Sequence, residues 1–188
     1  MIKYDIKKIA LQSLEEIKSV FLALNQNNVD LICDELLKAK AIALYSCGRE
    51  GLILKAFCMR MMHLGLNAHM VGDMTTPKLG KCDILIISTG PGNFSTGYAL
   101  LNVAKKSNIR TMVITAQPSA RIPQNADIVI HLPAQTMADD LKGTKSIFPM
   151  GSLFEIVELI FFDLISLIIR ERTGQTFRQM RARHTNLE

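Results

Sequence analysis

Two short segments carry the residue types that grip anions. Ser46-Cys47-Gly48-Arg49-Glu50-Gly51 and Ser88-Thr89-Gly90-Pro91-Gly92-Asn93-Phe94-Ser95-Thr96 each follow an apolar run and precede a helical pattern. A strand-to-helix turn exposes backbone amides at a helix N-terminus, and hydroxyls at the same turn donate to phosphate-like oxygens. Neither turn has the Gly-Lys-Ser/Thr ending of a nucleotide P-loop or the spacing of a dinucleotide fingerprint. Glycines also serve simply to close tight turns, so a purely structural role stands beside the binding role. Glu155 is a candidate of a different kind. It lies near the start of the most apolar stretch, Leu153 to Ile169, where a buried carboxylate without a partner is unfavourable. Desolvation raises a carboxyl pKa toward the range of a general base. The competing reading is a solvated carboxylate that complements a helix N-terminus.

The elements that must carry these residues follow from periodicity. Ile6, Ile9, Ala10, Leu14, Ile17, Phe21 and Leu24 recur every three to four positions and predict an amphipathic helix. An asparagine of the Asn25-Gln26-Asn27-Asn28 cluster is suited to cap a second helix running to about Lys40. Beyond it, apolar runs alternate with helical stretches. The runs are Ala41–Tyr45, Ala68–Val71, Asp83–Ser88, Arg110–Thr115 and Asp127–Leu132. That alternation predicts an α/β domain: a three-layer, doubly wound, five-stranded parallel sheet. Gln135 to Pro149 is the longest segment without periodicity and reads as a mobile loop. A long helix is expected from Met150 to about Arg172, ended by Gly174 and followed by a basic tail. The predicted organisation is a single domain, with a helical extension over 1–40, the sheet over 41–172 and the tail over 173–188.

Composition narrows the function classes. The 188 residues carry 22 Lys+Arg against 17 Asp+Glu and are 48% hydrophobic, which excludes global disorder. The excess charge is local: residues 170–188 hold five arginines against two glutamates. With no broad basic face, nucleic acid is not an expected partner. Leu153–Ile169 carries Glu155, Glu158 and Asp163, so it reads as a buried helix and not a membrane span. Met1-Ile2-Lys3-Tyr4-Asp5 opens no signal-peptide pattern, and Cys33, Cys47, Cys58 and Cys82 lack close metal or redox spacing. A reducing cytoplasm, no metal and no disulfide framework are expected. With no Trp and three Tyr, a flavin-type nucleotide module has little to build on. Two N-terminal amphipathic helices and the apolar C-terminal helix offer more nonpolar face than one small sheet covers, which predicts a homo-oligomer, a dimer or a tetramer.

Several segments together resemble the sugar isomerase (SIS) domain family, in its 6-phospho-3-hexuloisomerase branch. They are Cys47-Gly48-Arg49 with Gly51, Met59-Arg60-Met61-Met62-His63-Leu64-Gly65, Val71-Gly72-Asp73-Met74-Thr75-Thr76-Pro77 and Leu132-Pro133-Ala134-Gln135-Thr136. The most specific are Pro149-Met150-Gly151-Ser152-Leu153-Phe154-Glu155 and Arg183-His184-Thr185-Asn186-Leu187-Glu188. The resemblance implies a cytoplasmic phosphosugar isomerase, usually a homotetramer. Such an enzyme works by acid/base catalysis through an enediolate and needs no cofactor. It implies Glu155 as base, His184 as assisting acid and His63 as a further site residue. Ser46, Gly48, Arg49, Ser88, Thr89, Ser95 and Thr96 would hold a phosphorylated sugar, with Thr75 and Thr76 lining the pocket. Ser152 is expected to cap the long helix, and Glu158 and Asp163 to contact neighbouring helices or subunits.

The chain departs from the family at both turns. The first usually reads Gly-Arg-Ser-Gly and the second Ser-Gly-Ser-Gly-Glu-Thr. Here Glu50 replaces the first turn's serine, and the second turn is one residue longer. A carboxylate facing phosphate is repulsive unless it turns away or meets a cation such as Arg49. A non-catalytic sugar-phosphate sensor on the same domain is the alternative function.

Overall fold

The five apolar runs form five parallel strands: β1 (Ile42–Tyr45), β2 (Ala68–Met70), β3 (Ile84–Ser88), β4 (Arg110–Thr115) and β5 (Ile128–His131). They pair in the order β2-β1-β3-β4-β5. The computed structural model describes residues 5–141, 143 and 146–187. Residues 1–4 of the N-terminal segment, 142, 144 and 145 of the long loop, and Glu188 of the closing motif lie outside the described residues.

Successive strand side chains point to opposite faces, so each buried strand feeds two cores. Ile42, Leu44, Ile84, Ile86, Met112 and Ile114 pack on one face. Ala43, Leu85, Ile87 and Val113 pack on the other, against Leu101 and Ala104 of α4 (Ser95–Lys106). The first face is covered by α1 (Ile6–Leu22), α2 (Gln26–Lys38), α3 (Gly48–His63) and α5 (Ser152–Arg172). Phe57 of α3 stacks on Phe162 of α5 with ring centroids 4.1 Å apart, which fixes the two helices that flank the candidate site.

Local signals set the helix ends. The Asp5 side chain accepts from the Lys7 and Lys8 amides, and Asn25 accepts from the Asn27 amide at 2.9 Å. Glu16 of α1 accepts from the Ser146 hydroxyl at 2.6 Å and from the Ile147 amide at 3.1 Å. The N-terminal extension thereby steadies the segment that leads into α5. That helix begins at Ser152, not at Met150, because Met150 and Gly151 both adopt left-handed backbone (φ 53° and 79°). The cap residue is therefore Gly151 and not Ser152.

The basic tail is more structured than its composition suggested. After Gly174 the chain forms α6 (Phe177–Arg181), opened by a reciprocal pair of bonds between Thr176 and Gln179. Arg183 then donates to the His63 carbonyl and to the Gln175 side chain, both at 3.0 Å. The tail is therefore docked at the end of α3 of its own chain.

Candidate active site

Strand order reverses between β1 and β3, since β2 lies beyond one and β4 beyond the other. In open parallel sheets the crevice above such a reversal, at the carboxyl ends of the strands, is where ligands bind. A cavity of about 480 Å³ opens there. Ser46, Gly48, Arg49, Ser88, Thr89 and Glu155, all expected from the sequence, line it. Glu50, Phe94, Met150 and Ser152 also contribute to its wall. Gly48 enters α3 at φ 59°, a conformation that favours glycine. The Ser46 hydroxyl donates to the Ser88 carbonyl at 2.9 Å and ties the two turns together.

Glu50 does not turn away and does not meet Arg49. Its carboxylate accepts from the Ser88 hydroxyl at 2.7 Å and from the Gly90 amide at 3.0 and 3.1 Å. Gly90 lies so close to Phe154 that an added Cβ would sit 2.8 Å from the ring, so a side chain at this position would clash with it. Burial pushes the Glu50 carboxyl up, the Ser88 and Gly90 bonds oppose the rise, and the charge of Glu155 adds to it.

Arg49 instead pairs with Glu155, Nε to Oε2 at 2.8 Å. Desolvation raises the Glu155 carboxyl above its ordinary value, and the Arg49 guanidinium holds part of that rise back. One turn on, Glu158 is 0% exposed, and neither of its oxygens makes a hydrogen bond of ordinary geometry among the described residues. Burial raises its pKa well above the normal carboxylate range. The neighbouring charges of Glu50 and Glu155 add to this, while the Ser88 hydroxyl moderates it. Both causes favour the neutral, protonated form of the carboxyl. The site thus brings together three carboxyls, Glu50, Glu155 and Glu158, of which Glu155 alone was expected to act as the base. The signal for Glu158 was present: it stands three residues after Glu155, on the same side of an otherwise apolar helix. It faces Glu50 of the neighbouring helix α3, a helix-to-helix contact as expected of it, and that contact lies beside the crevice.

Other expected residues lie elsewhere. Ser95 and Thr96 open α4 on the surface and do not line the cavity. Thr75 is exposed, and the Thr76 hydroxyl is engaged with the carbonyls of Met70 at 2.7 Å and Asp73 at 2.8 Å, where it closes the turn after β2. His63 and His184 come together, with stacked rings 5.2 Å apart. They line a separate cavity of about 640 Å³, with Arg60, Asp163, Arg170 and Arg181. Within one chain the two histidines and Glu155 therefore do not share a site. Asp163 reaches Arg60 at 3.7 Å, the helix-to-helix contact expected of it. Among the described residues no helix is long and apolar enough to cross a membrane.

Comparison with known proteins identifies the family. The SIS domain family model matches residues 35–157. A Bacillus subtilis protein named 3-hexulose-6-phosphate isomerase is 34% identical over 177 residues, covering 93% of this chain and 95% of that protein. A protein of the same name from Mycobacterium gastri is 28% identical over 93% of this chain and 87% of its own. A crystal structure from Methanococcus jannaschii, for which a molecular function of 3-hexulose-6-phosphate isomerase was inferred, superposes with a TM-score of 0.81. It is 31% identical and covers 93% of this chain and 98% of its own. Likeness that runs along nearly the whole of both chains is a correspondence of entire folds and not of one glycine turn. The chain belongs to the SIS domain family, in its 6-phospho-3-hexuloisomerase-like branch.

Proposed function

We infer that this protein is a phosphosugar isomerase of the 6-phospho-3-hexuloisomerase type, which moves a carbonyl along a hexulose 6-phosphate through an enediolate. The observation that carries the mechanism is Glu155. It is a largely buried carboxyl at the rim of the switch-point crevice, raised by desolvation and tethered to Arg49 at 2.8 Å. A base in that state takes a proton from the carbon next to the carbonyl and returns it to the neighbouring carbon. Arg49 favours the carboxylate form of Glu155, and Thr89, whose buried hydroxyl has no hydrogen-bond partner among the described residues, supplies a donor to the bound sugar.

His184 and His63 act on the Glu155 crevice of a second copy. Their separate cavity supports this, as do the exposed apolar side chains of Met59 on α3 and Leu167 on α5, which line it. The assembly is a dimer or tetramer, and the location is cytoplasmic, in keeping with four unpaired cysteines. The test is turnover of a hexulose 6-phosphate to fructose 6-phosphate by the wild type and by Glu155→Gln. The variant is expected to lose about 10²- to 10⁴-fold in kcat while still binding the sugar phosphate. Unchanged turnover in the variant would sink the role of Glu155 as base, and a wild type without turnover would sink the isomerase reading.

A further inference from the structure

Glu50 occupies an unusual position for a carboxylate. Two donors converge on it, the Ser88 hydroxyl at 2.7 Å and the Gly90 amide at 3.0 Å, just beyond the carboxyl end of β3. A hydroxyl and a backbone amide that converge above a parallel strand form an anion seat, the arrangement that elsewhere receives a phosphate or carboxylate from solution. Here the anion comes from the chain itself. The seat is also rigid, since Gly90 is backed by Phe154 and the Ser88 carbonyl is tied to Ser46. Beside it, Thr89 is 2% exposed and its hydroxyl has no hydrogen-bond partner among the described residues, so one donor of the same turn is left for a ligand.

We infer that Glu50 is a specificity-determining residue: its carboxylate fills the anion seat made by Ser88 and Gly90 and bars a phosphate group from that turn. The phosphate of a bound sugar phosphate then lies elsewhere in the crevice, away from Gly90. Two like charges cannot share donors this close together, and Glu155 adds negative charge nearby with Arg49 already engaged. The inference depends on the isomerase reading only for the identity of the ligand as a sugar phosphate. The exclusion itself is a property of the turn.

The experiment is titration of the full-length protein with inorganic phosphate at pH 7.5 by isothermal calorimetry, comparing the wild type with Glu50→Ser. Glu50→Ser is expected to gain one phosphate site with a Kd at least tenfold below that of any site in the wild type. Superimposable isotherms, or tighter phosphate binding by the wild type, overturn the inference. Glu50→Ala, which also vacates the seat, gives the same comparison if the serine variant does not fold by circular dichroism. The outcomes separate the two readings. A wild type that turns over no hexulose phosphate removes the isomerase assignment and leaves the phosphate isotherms informative. A wild type that isomerises the sugar but binds phosphate as Glu50→Ser does removes this inference alone.

Discussion

Glu158→Gln probes the buried carboxyl system most directly. The folded state favours the neutral form of Glu158, because its side chain is fully buried and faces the charges of Glu50 and Glu155. The unfolded chain releases the same proton near pH 4.3, the ordinary glutamate value. Between that pH and the raised folded value, the native protein binds one more proton than the unfolded one. Stability must therefore fall as pH rises through this window, with a limiting slope of about 1.4 kcal/mol per pH unit. Below the unfolded value both states are protonated and the effect vanishes. Glutamine imitates the neutral acid in shape and cannot titrate, so the variant loses this slope. Glu50 and Glu155 are shifted in the same direction, but both remain in the variant. While Glu158 is neutral they see the same surroundings in either protein, and the difference between the two curves isolates its proton. Urea unfolding at several pH values from 5 to 8, at one fixed protein concentration, is the assay. The stability of Glu158→Gln relative to wild type is expected to grow with each pH unit across the window. Parallel curves would refute the claim that a neutral Glu158 lies beneath the site.

Two further outcomes follow from the same geometry. Arg49→Gln removes the cation that lowers the Glu155 carboxyl, so the acid limb of the kcat/KM profile should move to higher pH, and an unmoved limb argues against Glu155 as the base. The shift is expected to be modest, because the Arg49 side chain is 62% exposed. Arg183→Ala releases the tail from the His63 carbonyl and from Gln175, at about 0.5–1.5 kcal/mol per lost bond. Amide exchange over residues 175–187 should accelerate in this variant while that of β3 and β4 stays as in wild type.

Much of the fold was legible in the sequence. Val-, Ile- and Leu-rich runs of four to six residues separated by helical periods leave few arrangements other than a covered parallel sheet, because each strand must bury both faces. The tight turns, Asn25 as a cap and the apolar character of α5 were readable for similarly local reasons. The boundary of α5 was less so, since left-handed backbone at Met150 has no composition signal. The cavity residues Ser46, Gly48, Arg49, Ser88, Thr89 and Glu155 were within reach as well, because strand ends and helix starts fix where such residues emerge.

What sequence alone could not give is the identity of partners. Arg49 and Glu50 are adjacent in the chain and opposite in charge, yet one side chain leaves α3 toward Glu155 and the other toward Ser88 and Gly90. Those choices depend on how α3, α5 and the β3 turn are rotated against one another, and residues 38 to 40 positions apart have no local rule to bring them together. The same holds for the separation of His63 and His184 from Glu155, and for the burial of Glu158, which only helix packing takes out of solvent. Periodicity determines which face of an element is apolar; the packing of elements determines which charges must share one dry space, and in this protein that decided the chemistry of the site.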